Sequence, residues 1–194
     1  MKRVQIVILA CLFSVPVASA QESGATVARG PGGSIQTELG YGIVLNKDST
    51  LEREWIVIND AALPVQFAGN AVGLTTVYSS NDRAYRYMAD FNVRVVEPIS
   101  ALEIRFIAFD IWGNHVRNYV ITEIADFEPG QKEISATWRA LSENEVAEFY
   151  ASIAYISRVR ISSGQVIEAN QEPAIIEAQR FSESFTNSDL NLNE

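Results

Sequence analysis

The chain predicts an all-β fold: a single sandwich of two antiparallel sheets with about seven or eight short strands and one small helix. Three observations carry this expectation. Several segments alternate apolar and polar residues with a period of two. Turn signals separate them roughly every 8–12 residues, and only one segment carries the N-terminal signature of a helix. There is no heptad and no internal repeat.

The chain has 194 residues. Its first 20 read as a secretory signal: Lys2 and Arg3 lead, Val4 to Val17 is mostly apolar, and Ala18-Ser19-Ala20 supplies a small-residue cleavage pattern. Gln5, Ser14 and Pro16 leave that run short of the ~20 apolar residues of a membrane-spanning helix. Ile8-Leu9-Ala10-Cys11 offers a rival processing site, a lipoprotein box with Cys11 lipid-anchored. The apolar run before it is short, so cleavage after Ala20 is the expectation, giving a periplasmic or secreted protein.

Gln21 to Gln36 is small and polar around Gly30-Pro31-Gly32-Gly33-Ser34, and 21–38 reads as a flexible leader. The glycines lack the spacing, lysine and following helix of a phosphate loop. The sandwich is expected over 39–181. Arg53 to Asn59 reads as a strand closed by Asn59-Asp60, and Leu63 to Phe67, with Pro64, as a piece at an edge or bend. Val72 to Tyr78 is a strand, followed by the loop Ser79 to Asp82. In Tyr85 to Val96, Tyr85, Tyr87, Ala89, Phe91, Val93 and Val95 share one face, opposite Arg86, Asp90, Asn92 and Arg94.

Ser100 to Tyr119 is the central hairpin. Leu102, Ile104, Phe106 and Ala108 form one apolar face. The other face starts with Glu103 and Arg105 and turns apolar at Ile107, Phe109 and Ile111, so its far end should be covered. Asp110 to His115 turns the chain, with Gly113-Asn114 able to supply positive φ. Val116 to Ala125 is extended, and Glu128-Pro129-Gly130-Gln131 reads as a type II turn. Ile134, Ala136 and Trp138 point inward from Glu133 to Trp138. Ser142-Glu143-Asn144-Glu145 is a capping box opening a helix with Val146, Phe149 and Tyr150 on one face. Ile153 to Ile161 is a strand with Arg158 and Arg160 outward, and Ser162 to Gln165 turns it into Val166 to Ala169. Pro173 and a weakly patterned Ala174 to Phe181 follow. The acidic stretch 182–194 reads as a disordered tail.

Without the signal, 174 residues remain, with no cysteine and with 13 basic against 24 acidic side chains, a net charge of −11. Such a chain must be held by its core rather than by disulfides. The charge argues against nucleic acid and anionic membrane surfaces as partners, and no membrane span is expected in the mature chain.

Chemistry has few footholds. His115 is the only histidine, so any Ser-His-Asp triad would need it, with Asp110 the nearest acid, yet no nucleophile motif is present. One histidine and no mature cysteine exclude the usual zinc ligand sets. Asn46-Lys47-Asp48, Asn59-Asp60 and Ser79 to Asp82 offer oxygens but match no calcium loop. Glu145 and Glu148 stand one helical turn apart, the first already engaged in a cap. No catalytic, metal or cofactor residue is therefore assigned, and binding residues are not legible. Trp112 is expected to close one end of the core, and Trp55 and Trp138, within their strand patterns, are expected in the core; exposed instead, Trp112 would suit sugar stacking or a partner contact.

Phe106-Ile107-Ala108-Phe109-Asp110, followed by Gly113, resembles the F-x-L-Y-D signature of small exported bacterial domains with an immunoglobulin- or fibronectin-type sandwich. Ala108 replaces the leucine and Phe109 the tyrosine. The broader likeness, to uncharacterised exported domains of that architecture, runs from Trp55 through Ala169. It implies an immunoglobulin-like fold and a non-catalytic role, and carries over no site residue. The functional expectation is a binding module of the bacterial envelope, with another envelope protein as partner, recognised by loops or by an exposed edge strand. The alternatives are a structural accessory subunit of an envelope complex, a carbohydrate-binding module and a small envelope hydrolase.

Overall fold

A computed structural model describes residues 24–34, 51–69, 72–81, 83–140 and 142–191. The signal segment with Cys11, the loop Asn46 to Asp48, and Asp82 lie outside the described residues.

The ten strands among the described residues are β1 (Ala25–Ser34), β2 (Glu52–Asp60), β3 (Val65–Ala68), β4 (Thr75–Ser79), β5 (Ala84–Val95), β6 (Ile99–Asp110), β7 (His115–Phe127), β8 (Gly130–Arg139), β9 (Phe149–Ile161) and β10 (Val166–Glu168). Helix α1 (Glu143–Glu148) precedes β9, and α2 (Glu172–Gln179) follows β10. One sheet has the order β1-β2-β9-β6-β7, with β10 beside the far half of β9. The other has β5 at its centre, β8 along one edge, and β3 and β4 each along half of the opposite edge. The pair β5–β8 in one sheet and β6–β9 in the other is an immunoglobulin-type distribution of strands. The strand pairs are antiparallel except β2–β9, which runs parallel from Glu54↔Ala151 to Ile58↔Tyr155.

The main core fills the space between the sheets. Tyr87, Ala89, Phe91, Val93 and Val95 of β5 meet Leu102, Ile104, Phe106 and Ala108 of β6 there, the two faces that the period-two pattern picks out. Tilted ring pairs lock it: Phe91 lies 5.8 Å from Phe106, and Tyr87 4.9 Å from Tyr119. The β5 residues Asp90, Asn92 and Arg94 are exposed, as their alternation requires.

A second core lies on the outer face of the first sheet. Ile56, Ile58, Ile107, Phe109, Ala151, Ile153 and Tyr155 are buried under Ala174, Ala178, Phe185 and Leu190. This is the cover that the apolar far end of β6 demands, and it comes from the C-terminal segment. The expectation of a disordered tail over 182–194 is therefore corrected for 182–190. Phe185 and Leu190 are apolar anchors in a polar, acidic stretch, and two residues are enough to hold it when a complementary face is already in place. Phe109 stacks on Phe181 at 5.0 Å and contacts Phe185 at 5.8 Å.

The flexible leader is corrected too. Ala25–Ser34 pairs with β2 from Ala25↔Asp60 to Ser34↔Glu52, with one irregularity between Pro31 and Ser34. Composition misled because sheet pairing uses backbone groups. Gly32 sits where a Cβ would come 2.8 Å from Arg53 Cβ and 2.9 Å from Trp55 Nε1, so glycine here permits close approach.

Other boundaries shift. The Val72 to Tyr78 strand begins at Thr75, while Val72 and Leu74 are buried ahead of it. The capping box holds, with the Glu145 N–H donating to Ser142 Oγ at 3.1 Å, but α1 ends at Glu148 and Phe149 and Tyr150 open β9. The weak pattern after Pro173 is α2, with that proline in its first turn, where its missing N–H costs nothing. Gly130, expected in a type II turn, begins β8 with φ +137° at the corner where the chain changes sheets.

Candidate functional site

Asp110, His115, Asn59 and Asp60 are engaged in holding the fold. Asp110 accepts hydrogen bonds from the backbone N–H of Trp112 and Asn114, and from the Asn114 side chain, and so ties the β6–β7 turn. His115 is the first residue of β7 rather than a turn residue. Its Nε2 lies 2.9 Å from Asn118 Oδ1, and its ring packs edge-on to Phe185 at 5.1 Å. No hydrogen bond joins His115 to Asp110 or a serine among the described residues. Asn59 and Asp60 serve backbone groups: Asn59 Oδ1 accepts from Phe67 N, and the Asp60 carboxylate accepts from Ala62 N and Asn170 N. Among the described residues no three His, Cys, Asp or Glu side chains cluster as metal ligands.

Trp112 is corrected: it is 72% exposed at the tip of the β6–β7 turn. The turn is pressed instead onto the C-terminal cover through Gly113 (φ +80°), where a Cβ would sit 2.4 Å from the Phe181 carbonyl oxygen. That approach leaves no space beneath the turn for an indole. Trp112 has no ring neighbour among the described residues and lines neither groove described below. Trp55 and Trp138 are half-buried.

Two of the polar clusters buried among the described residues form around Arg53 and Glu103. In the first, the Arg53 guanidinium has only neutral acceptors among the described residues: Phe149 O at 2.9 Å, Val146 O at 3.1 Å and Thr76 Oγ1 at 2.9 Å, with the Phe149 ring 5.0 Å away. It thereby satisfies carbonyls left open where α1 passes into β9. Burial lowers its pKa from the usual arginine value. Beside it, Tyr87 O–H donates to Glu145 O at 3.2 Å, and Tyr119 O–H to Glu145 Oε1 at 3.0 Å. Burial first, and then neighbouring negative charge, push both phenols above their usual range.

The second cluster centres on Glu103, in the uncovered half of the first sheet's outer face. Glu103 stands opposite Arg158 while Ile104 stands opposite Ile156, so Ser157 is an extra residue, a bulge in β9. The bulge lets Ser157 Oγ reach Glu103 Oε1 at 2.7 Å, while Arg105 Nε donates to the same oxygen at 2.9 Å and Arg158 binds Oε2. Burial alone would raise the Glu103 carboxyl. Hydrogen bonds from Ser157, Arg105 and Arg158 and the Arg105 charge outweigh it and hold the group below its ordinary range. Arg105 also donates to Leu190 O at 2.8 Å, and Asn118 to Asp189 O at 2.7 Å, so the outer face grips the backbone of the C-terminal segment.

One open feature remains. β7 pairs with β6 along one side, and no strand among the described residues occupies the other; β8 likewise has one free edge. Between these two edges lies a groove of about 660 Å³ whose walls include consecutive residues of β7, Arg117 to Val120, and of β8, Thr137 to Arg139. Tyr119 and Trp138, 5.3 Å apart, form its aromatic floor. A smaller hollow of about 200 Å³ lies around Ala101, Thr122, Arg158 and Val166. Thr122 to Asp126 of β7 is exposed throughout, with Ile124 80% exposed.

Sequence reasoning found the strands that carry this groove and placed Trp138 inward, but did not single out Arg117, Arg139 or Ile124. The available signal was an apolar Ile124 between Glu123 and Asp126, in a strand whose alternation fades after Ile121.

No protein-family model matches the chain, and no curated protein matches it. Among solved structures, a hypothetical protein from Peptoclostridium difficile 630 is similar at 9% identity and a TM-score of 0.42, covering 66% of this chain and 97% of that one. Among the described residues no helix is long and apolar enough to cross a membrane.

Proposed function

We propose that this chain is an exported, non-catalytic β-sandwich of the bacterial envelope that binds another protein by taking an extended segment of its partner alongside β7. The carrying observation is the free edge of β7, which runs from a groove floored by Tyr119 and Trp138 to Ile124, 80% exposed and two residues past the lining residue Thr122. An unpaired edge offers a row of backbone donors and acceptors, and adding a strand satisfies them while neighbouring pockets read side chains. The structural duties of His115, Asp110 and Asp60 favour binding over the hydrolase alternative. An indole at Trp112 standing alone gives a sugar ring no second platform.

The test is affinity capture with the tagged chain from its native envelope, comparing the natural chain with Ile124→Lys. Replacing so exposed a side chain should change stability by no more than about 0.5 kcal/mol. A stoichiometric partner held by the natural chain and lost with Ile124→Lys, at unchanged melting temperature, is the expected result. A natural chain that comes through alone, or a partner indifferent to Ile124→Lys, overturns the reading.

A further inference from the structure

Resting on that edge-pairing reading, we infer that the segment received between β7 and β8 is acidic: an extended stretch of a partner protein carrying Asp or Glu side chains. Three guanidiniums, Arg117, Arg139 and Arg158, line the groove, against the single carboxylate of Glu103. Glu103 is already neutralised within the protein by Arg105 and Arg158. Among the described residues neither Arg117 nor Arg139 has an ion-pair partner, in a chain whose net charge is −9. Acidic groups are plentiful in this protein, so two arginines without them at one groove are a local departure from the whole.

Register adds a second observation. Arg139 stands directly across from Arg86 in the β5–β8 pair. Its neighbour Trp138 stands across from the buried Tyr87, so Arg139 lies on the opposite, outer face of its sheet. The placement also suits a strand. Arg117 and Tyr119 share the sandwich-facing side of β7, because their partners Ala108 and Phe106 both face the main core, whereas Thr122 lies opposite Glu103 on the outer side. An added strand sends alternate side chains to both sides, and the inward set meets Arg117. Tyr119 and Trp138 then contact its backbone and apolar stems. At contact distance these charges act within the screening length of about 8 Å, so the negative charge of the remaining surface weighs less than the arginines.

The experiment uses the purified chain and three blocked peptides of about ten residues, ample to span the groove at about 3.3 Å per residue: alternating Thr and Glu, Thr and Gln, and Thr and Lys. Binding is followed through backbone amide shifts and the Trp138 indole resonance. The expected result is that the Thr-Glu peptide moves the amides of Arg117 to Thr122 and the Trp138 indole. Its affinity should fall about tenfold in the double variant Arg117→Glu, Arg139→Glu, and fall again with added salt. If the Thr-Gln or Thr-Lys peptide binds the same amides as tightly, the acidic partner is overturned while edge pairing stands. If no peptide moves the β7 amides, edge pairing falls and the acidic partner with it.

Discussion

Glu103 links folding to pH. Its folded-state pKa lies below the ordinary 4.5, so as pH falls the unfolded chain takes up the proton first. The stability it contributes is full above about pH 4.5 and is lost as pH drops through the lower folded value. Asp189, held down by hydrogen bonds from Thr186, acts with the same sign but from a half-buried position. Comparing acid unfolding of the natural chain with that of Glu103→Gln isolates the buried share: the variant should lose less stability between neutral and acid pH. Glu103→Ala should cost about 2–4 kcal/mol at neutral pH, measured by denaturant unfolding, because Arg105 and Ser157 remain buried without their acceptor. At the other extreme, Tyr87 and Tyr119 keep their protons longer when folded, so stability should fall as pH rises past about 10, the ordinary phenol value. In sequence, Glu103 and Arg105 were legible as the polar face of β6. Their partner Ser157 was not, since it depends on a bulge that no period-two pattern reveals.

At the scale of elements, the C-terminal segment behaves as part of the sandwich. Glu177 of α2 binds Arg29 of β1 at 2.5 Å and Arg180 at 2.9 Å, and Arg180 reaches Glu54 of β2 at 3.3 Å, so helix and outer strands are tied together. Removing 182–194 should lower the melting temperature by about 10 °C or more, because it strips Phe185 and Leu190 from the second core; an unchanged melting temperature would contradict the packing. Phe185→Ala alone should cost about 3–4 kcal/mol. Gly113→Ala should cost about 1–3 kcal/mol, combining positive φ with the clash against Phe181 O. Here the sequence was half legible. Ile107, Phe109 and Ile111 announced that something must cover them, but the cover combines the weakly patterned α2 with Phe185 and Leu190, two apolar residues spaced five apart in polar chain and too sparse to register as an element. β1 was hidden for the converse reason, since its glycines and proline mimic a linker while its backbone pairs.

For the whole molecule, the two-layer architecture and the turns at Gly113 and Gly164 followed from alternation and turn chemistry, which are local. The parallel β2–β9 pair did not, because it joins residues nearly a hundred positions apart and leaves no local mark. The candidate groove was illegible for a related reason: Arg117 and Arg139 come from different strands in different sheets, and only closure of the sandwich brings them to one place.

The position of β9 has a kinetic consequence. It is the strand between β2 and β6, and it is made after both. Until residues near Ile161 have emerged, the first sheet cannot assemble, and β2 and β6 each present an unpaired edge, a state open to association with other chains. The β5–β8 pair can form earlier, but the sandwich closes only when β9 arrives and the outer face only when Phe185 and Leu190 follow. Contacts so distant in sequence place refolding in the millisecond-to-second range rather than faster. Stopped-flow tryptophan fluorescence should show it, with fragments ending before Phe149 remaining unfolded or associating.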